Sequence, residues 1–530
     1  MPGRLAIDFG TANTALATWD ESIQAGRLLH IPGYASFVRQ GSEQVSVIPS
    51  LIHYTADNRR WVGQQVLDQN LYAAPQTFRW MKRYISNRSP IRQRINGHEI
   101  SPLDAGSDFL KTLLIFAAEQ IGLQPDEEVV FCTPVEAYEH YENWLMDVAE
   151  AAGMGRFRLI DEPSAAALGY GAHLTPGNVA LLFDFGGGTL HAAVVLMEEN
   201  PQTANGQHCR VLGKAGRDLG GSTLDQWLYQ EVLRRNHRNE SDPDLLRMSN
   251  ALLIECERAK EQLSFQERAS ISAIHPETGT VLDARFTRTE FEELLDQHGL
   301  YTALHQTIRT ALNAAHERGY TEDQLQAVFL VGGSSQIPSI QRTLQQIFGR
   351  ERVHPGRPLD AVVLGAAAFA AGASFFDHIQ HDYAIRHLAS NGQYEYRVLV
   401  PRGTPYPSQK AIATLRIKAT FDGQQQLGLA IFELGQGRNT SSTQAHEIVF
   451  DPSGTARLVP LSPSEMEERS KFWMNEHSPT FLPAEPPPQR GEPCFEVEFR
   501  VDASKRLTIT ARDLRSGHYT HRDYPVVKLS

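Results

Sequence analysis

The stretch Val179–Leu196, VALLFDFGGGTLHAAVVL, constrains this chain more than any other. An apolar run ends at Asp184 and Phe185, three glycines and Thr189 follow, and a second apolar run starts at once. Two short hydrophobic runs joined by a glycine-rich turn read as a β-hairpin buried on at least one side. The glycines let bare backbone N–H groups come close to a ligand, and a nest of such groups attracts phosphate. Asp184, at the end of the incoming strand, is placed to hold a divalent cation directly or through its waters. Alone, the stretch is equally well a plain hairpin. The chain, however, uses the device twice: Leu5–Phe9 carries Asp8, Gly10-Thr11-Ala12-Asn13-Thr14 turns, and Ala15–Trp19 returns. Two such hairpins facing each other can grip a phosphate chain from both sides, with Asp8 and Asp184 sharing a hydrated Mg2+.

At 530 residues the chain exceeds a single hydrophobic core, so roughly two to four domains are expected. A net charge of −12 argues against general affinity for nucleic acid or anionic membranes. No secretory signal and no run of about twenty apolar residues is present. Cys132, Cys209, Cys256 and Cys494 are scattered without paired spacing, which suits a reducing compartment and offers no zinc signature. A cytoplasmic protein is expected.

In chain order, Val45–Tyr54 reads as a strand, and Thr77–Ile85 places Lys82 between Met81 and Arg83. By itself that basic pair reads as a solvated helix face. Asp108–Gly122 and Ala137–Ala152 read as helices, with the strand Val129–Cys132 leading into Pro134 between them. Phe157–Leu159 opens a strand that runs into Asp161-Glu162-Pro163-Ser164, and Pro163 suits a first helical turn. Glu162 there either reaches a cleft or favours the helix N-terminus. Gly213–Gly221 is a glycine-containing loop before a helix at Ser222–Arg234. Asp244–Leu263 is an amphipathic helix on which Glu257 and Lys260 read as an i,i+3 surface pair, with Ser264 just beyond. Leu325–Val331 is a buried strand entering Gly332-Gly333-Ser334-Ser335, a third strand-to-glycine site. Pro358–Ala373 is a helix of residues small enough to pack almost backbone to backbone on a sheet. Residues 374–393 turn polar and read as a linker. From Tyr394 onward strands dominate, interrupted by Ser462–Gly491 with its stiff PAEPPPQRG.

Asp8–Thr14, Asp161–Gly171, Asp184–Thr189 and Val331–Ile337 with Asp360 together resemble the ATPase signatures of the 70-kilodalton heat-shock chaperones of the DnaK type, members of the actin-like ATPase superfamily. The resemblance implies an α/β fold: a two-lobed actin-like (ribonuclease H-like) ATPase domain over 1–373, a linker over 374–393, and a mainly β substrate-binding-like sandwich over 394–530, with an insertion around 462–491 and no helical lid. It implies catalytic roles for Asp8, Lys82, Glu162, Asp184 and Thr189, with Mg2+ held through water by Asp8 and Asp184. ATP or ADP contacts are implied at Gly10, Thr11, Ala12, Asn13, Gly186, Gly187, Gly188, Gly220 and Gly221. On the adenosine side they are implied at Glu257, Lys260, Ser264, Gly332, Gly333, Ser334, Gln336 and Asp360. K+ is a further candidate cation, and Pro134 matches a position linked to interdomain signalling.

The departures from the family pattern are specific. His191 stands where the family has an aspartate, and Gln336 and Glu261 stand where members often place arginines that sandwich adenine. Glu142 replaces an expected arginine, and the stretch Asp377–Leu388 lacks the family's leucine-rich docking pattern. The implied function is a slow ATP-hydrolysing, chaperone-like protein of the stress response that binds unfolded or extended polypeptide in a nucleotide-influenced way. A J-domain co-chaperone and a nucleotide exchange factor are the implied partners, without nucleic acid or membrane insertion. The alternative is a nearly silent ATPase serving as a nucleotide-dependent protein-interaction module. A sugar kinase would need a catalytic aspartate and a polar substrate pocket that the sequence does not show. The trailing β module argues against a filament-forming relative.

Overall fold

In the computed structural model, the described residues are 5–40, 43–124, 127–134, 139–171, 175–199, 207–240, 242–275, 277–376, 379, 381–389, 393–406, 408, 410–434, 446–450, 456–460, 471–476, 479–502 and 505–529. Contacts divide the chain into two compact units. The first comprises Met1–Val135, Glu142–Phe376 and Thr443–Pro460; the second comprises Glu136–Tyr141, Asp377–Ser442 and Leu461–Ser530. No helix among the described residues is long and apolar enough to cross a membrane.

The first unit is built on two large sheets, each centred on one of the glycine hairpins. A seven-stranded sheet runs in the order Arg156–Asp161, Glu128–Thr133, Leu5–Phe9, Asn13–Asp20, Glu43–Pro49, Ser36–Gln40, with Ala25–Leu28 also paired to Asn13–Asp20. A six-stranded sheet runs Val353–His354, Leu325–Val331, Val179–Phe185, Leu190–Glu199, Gln207–Arg217, Ser374–Phe376. In both, the hairpin's first strand pairs antiparallel with its return strand and parallel with a later strand. Parallel strands buried on both faces need near-continuous apolar sequence, and Val179–Phe185 is buried at every position, Asp184 included. Asp8 and Asp184 therefore sit at equivalent ends of central strands.

Two small-residue helices, Glu162–Gly169 and Ala361–Ala370, lie against each other. A Cβ on Gly365 would stand 2.5 Å from the Gly169 nitrogen and closer still to the Ala165 carbonyl oxygen. The Ala361–Ala370 helix packs closely on the N-terminal strands as the sequence suggests, and adds a second backbone-to-backbone contact with the Glu162–Gly169 helix. The reason is that both helices carry Ala or Gly on the shared face, so nothing holds them apart.

Other expectations are corrected by tertiary structure. The strand expected over Val45–Tyr54 breaks into Glu43–Pro49 and Ile52–Tyr54. At the break, Ser50 is drawn to the N-terminal turn, its N–H donating to the Ala12 oxygen (2.9 Å) and its hydroxyl to the Gly10 oxygen (2.8 Å). The polar stretch read as a linker holds two strands, Ser374–Phe376 on the six-stranded sheet and Asp382–Leu388 in the second unit. Its histidines and charges conceal the buried run Tyr383-Ala384-Ile385. Part of that stretch (377–378, 380 and 390–392) lies outside the described residues, as do 462–470 and 477–478 of the expected insertion. The described remainder of the insertion supplies the strands Lys471–Trp473 and Thr480–Pro483.

The second unit carries two four-stranded sheets. One runs Tyr394–Val400, Asp382–Leu388, Ile431–Leu434, Lys471–Trp473; the other runs Ala413–Lys418, Pro493–Val501, Arg506–Asp513, Tyr519–Lys528. Both feed one core that includes Tyr383, Val400, Ile431, Phe495, Phe499 and Ile509. Beyond the Arg506–Asp513 strand, the Asp513 carboxylate accepts from the Arg515 guanidinium (2.8 Å) and from the backbone N–H groups of Arg515 (2.8 Å) and Ser516 (3.2 Å). Burial alone would raise this carboxyl, but these donors outweigh it and hold it below its ordinary value. A depressed folded-state value means the contribution is present above the unfolded value of about 3.9 and is lost as pH falls through the folded one. Asp513→Asn is expected to cost about 1–3 kcal/mol near neutral pH, with the gap to wild type closing in acid. Chemical denaturation of the full chain at the two pH values measures both.

Candidate functional site

The two glycine turns meet. A Cβ on Gly188 would lie 2.7 Å from Thr11 Oγ1, and one on Gly187 would lie 3.4 Å from the Thr11 Cβ. Each turn is braced from behind by backbone. Ser50 holds the N-terminal turn as described, and the carbonyls of Gly186 and Gly187 accept from the N–H groups of Gly221 (3.0 Å) and Ser222 (2.8 Å). Gly220 lies so close that a Cβ there would stand 2.5 Å from the Gly188 nitrogen. Beside the turns opens a small recess lined in part by Thr11, Lys82, Arg83, Pro134, Gly188 and Thr189. Ala12 and Asn13, in the N-terminal turn, are exposed.

Around these turns the structure gathers Asp8, Lys82, Glu162 and Asp184. Lys82 donates to Glu162 Oε1, and both side chains are buried, at 6 % and 5 % exposure. This overturns the solvated-face reading of Lys82, because the short Met81–Ser86 helix turns that residue inward. Glu162 begins its helix, with Asp161 as N-cap accepting from the Ser164 N–H (2.9 Å). Asp161 is also paired with buried Lys214 (2.8 Å), which outweighs burial and keeps its carboxyl low. Burial pushes the Asp8 carboxyl up to about 7, with Lys82 opposing and Glu162 adding to the rise. Asp184 is raised well above its ordinary value by burial, then by Glu162 and Asp8, against Lys82. Buried carboxylates that repel one another in this way favour a bound cation. Three carboxylates with one ammonium, beside two turns of backbone N–H and threonine hydroxyl, form a donor set that fits a phosphate chain and its hydrated Mg2+.

The third glycine site joins the second hairpin. Gly332, with φ of 81°, lies where a Cβ would stand 2.6 Å from Asp184 Oδ1, and Ser334 Oγ donates to the Gly186 oxygen (2.9 Å). A Cβ on Gly221 would lie 2.8 Å from Ser334 Oγ and 2.9 Å from Lys260 Nζ, so Gly221, Ser334 and Lys260 converge. Glu257 and Lys260 do not form the expected surface pair. Tyr72 donates to Glu257 Oε2, while Lys260 contacts both oxygens of buried Asp225 (2.9 and 3.0 Å). Ser264 donates to the Lys260 oxygen (3.2 Å) within the helix. Gly333 is exposed and Gln336 half-buried. Asp360 is held by Gln40 Nε2 (3.1 Å) and Arg357 (3.9 Å) at the start of the Ala361–Ala370 helix.

Sequence reasoning missed Ser50, Tyr72, Asp225 and the bond from Arg83 to Ser222 Oγ (2.7 Å). Only Asp225 left a local trace: a carboxylate beside Leu224 and Leu228, on the buried face of the Gly221–Arg235 helix.

A model of the Hsp70 protein family matches residues 5–375. The chain is also similar to the chaperone protein DnaK of Thermotoga petrophila, and to that of Thermotoga sp. strain RQ2. Each is 26% identical over 535 aligned residues, covering 97% of this chain and 78% of the relative. With a family match over most of its length, the chain belongs to the Hsp70 family of chaperone ATPases.

Proposed function

We propose that the first unit is a two-lobed clamp that binds ATP between the two glycine turns and hydrolyses it slowly. The observation that carries this reading is the meeting of Thr11 with Gly187 and Gly188 beside the buried Lys82–Glu162 pair. In this reading the turn N–H groups and the Thr11 and Thr189 hydroxyls donate to phosphate oxygens. Asp8 and Asp184 would hold Mg2+ through its waters, and the ion supplies charge neutralisation on the phosphates when bound. Glu162 accepts a hydrogen bond from the attacking water and aims it, while Lys82 fixes the rotamer of Glu162 and adds positive charge near the transferred phosphoryl group. Gly221, Lys260, Ser334 and the Glu257 side flank the nucleoside. Positioning and electrostatics supply such catalysis, with no covalent intermediate.

The second unit is proposed to hold an extended polypeptide. Tyr394–Val400 is an edge strand of its sheet, and such an edge offers unpaired backbone groups to an added strand. Nearby, the Arg386 guanidinium lies over the rings of Tyr394 (4.6 Å), Phe432 (5.1 Å) and Trp473 (4.5 Å), a mixed apolar and cationic wall for side chains.

Purified chain incubated with ATP and Mg2+ is expected to release phosphate slowly above background. Chelating the divalent cation should return release to background, and calorimetry should show ADP binding. Phosphate release unaffected by chelation, or no nucleotide binding at all, would reject the reading.

A further inference from the structure

His191 has no task in the hydrolysis reading. It is the direct cross-strand neighbour of Asp184 in the second hairpin, so the two side chains share one face of the sheet. It is wholly buried at 0 % exposure, and neither Nδ1 nor Nε2 has a hydrogen-bond partner. Burial pushes the imidazole below its usual range, against the pull of Glu162. Its Nδ1 stands 3.7 Å from Glu162 Oε2. Lys82 occupies the other oxygen of Glu162, which leaves Oε2 on the imidazole side. One ligand atom from each of Glu162, Asp184 and His191 lies within 4.8 Å of the other two.

We propose that Glu162, Asp184 and His191 form a direct binding site for a first-row transition cation of the zinc class, with Lys82 kept on the far oxygen of Glu162. The donor set decides the class. Mg2+ takes oxygen ligands and dehydrates reluctantly, whereas a neutral imidazole nitrogen favours zinc, cobalt and their neighbours. Bonds of about 2.0–2.2 Å keep ligands of one ion within roughly 4 Å of each other, so closure needs side-chain shifts under about 1 Å. Three protein ligands leave a coordination position open. The site needs no nucleotide to form, since all three ligands come from the second hairpin and the adjoining helix start. When filled, it takes Glu162 Oε2 and Asp184 out of use for water and Mg2+, so the cation is an inhibitor of the proposed hydrolysis.

The test is a Co2+ titration of full-length chain stripped of metal and nucleotide, followed by visible absorption. Wild type is expected to saturate at one ion per chain with nitrogen–oxygen ligation, to release Co2+ to Zn2+, and to resist a large excess of Mg2+. His191→Asp is expected to bind Co2+ about tenfold or more weaker and to let Mg2+ compete. No saturable spectrum, an unchanged titration in His191→Asp, or a thiolate charge-transfer band from one of the buried cysteines overturns the proposal. Should His191→Asp fail to fold, pulsed EPR of wild type loaded with Mn2+ decides: imidazole nitrogen modulation supports the site and its absence rejects it. Calorimetry with ADP on the same preparation separates the two readings. Co2+ binding without ADP binding leaves this site standing and removes the nucleotide one; the reverse result does the opposite.

Discussion

Gly365→Val is expected to destabilise the first unit by about 3 kcal/mol or more. The added Cβ would meet the Ala165 carbonyl and the Gly169 nitrogen, both backbone atoms that no rotamer change can move. The opposing helix offers no slack, because a Cβ on its Gly169 would strike the Ala361 carbonyl in the same way. Every residue of Ala361–Ala370 is buried, so the helix cannot tilt into solvent to relieve the clash. It also supports the N-terminal strands: a Cβ on Gly26 would stand 2.8 Å from the Leu364 oxygen. Gly356→Ala, at a position with nothing within 4 Å, serves as the control and should stay within about 0.5 kcal/mol of wild type. Denaturant midpoints measure both. A Gly365→Val midpoint equal to the control's would show that the two helices part easily and would refute the argument.

Lys82→Ala is expected to affect activity and stability together, for separable reasons. Removing the ammonium leaves Glu162 as an unpaired buried charge beside Asp8 and Asp184, a loss of about 3–5 kcal/mol. In the proposed chemistry it also removes positive charge beside the transferred group and the partner that holds Glu162 in place, a drop of about 100-fold or more in phosphate release. The double variant Lys82→Ala/Glu162→Gln separates the two effects. Neutralising the glutamate should recover much of the stability while phosphate release stays lost. Recovery of both would mean that neither Lys82 nor Glu162 takes part in the chemistry. No recovery of stability would mean that Glu162 is not the charge left stranded.

What the chain's residues revealed in advance follows the range of the interactions involved. The two hairpins were legible because their signal is local: an apolar run, a carboxylate, glycines, a second apolar run. Lys82 was not legible from its neighbours. Met81 and Arg83 describe an ordinary helix face, and only its buried partnership with Glu162, far along the chain, turns the residue inward. Family resemblance singled it out where periodicity could not. Ser50, Tyr72 and Asp225 escaped for the same reason, since each acts through a partner distant in sequence. The final strand, Tyr519–Lys528, was missed because it is largely exposed and lacks the alternation that marks a half-buried strand. The linker was misread from composition, with flanking histidines outweighing three buried residues.

The bonds from Tyr72 to Glu257 and from Arg79 Nη2 to Asn250 Oδ1 (2.5 Å) tie the segment just before Lys82 to the long helix that carries Lys260. The Asn250 amide returns a bond to the Ala73 oxygen (3.0 Å). These ties are polar and worth about 1–3 kcal/mol each, so they break and re-form more often than the core beneath them unfolds. Their lifetime therefore limits how fast the two segments can separate. Amide hydrogen exchange along 72–79 is where that clock would be read.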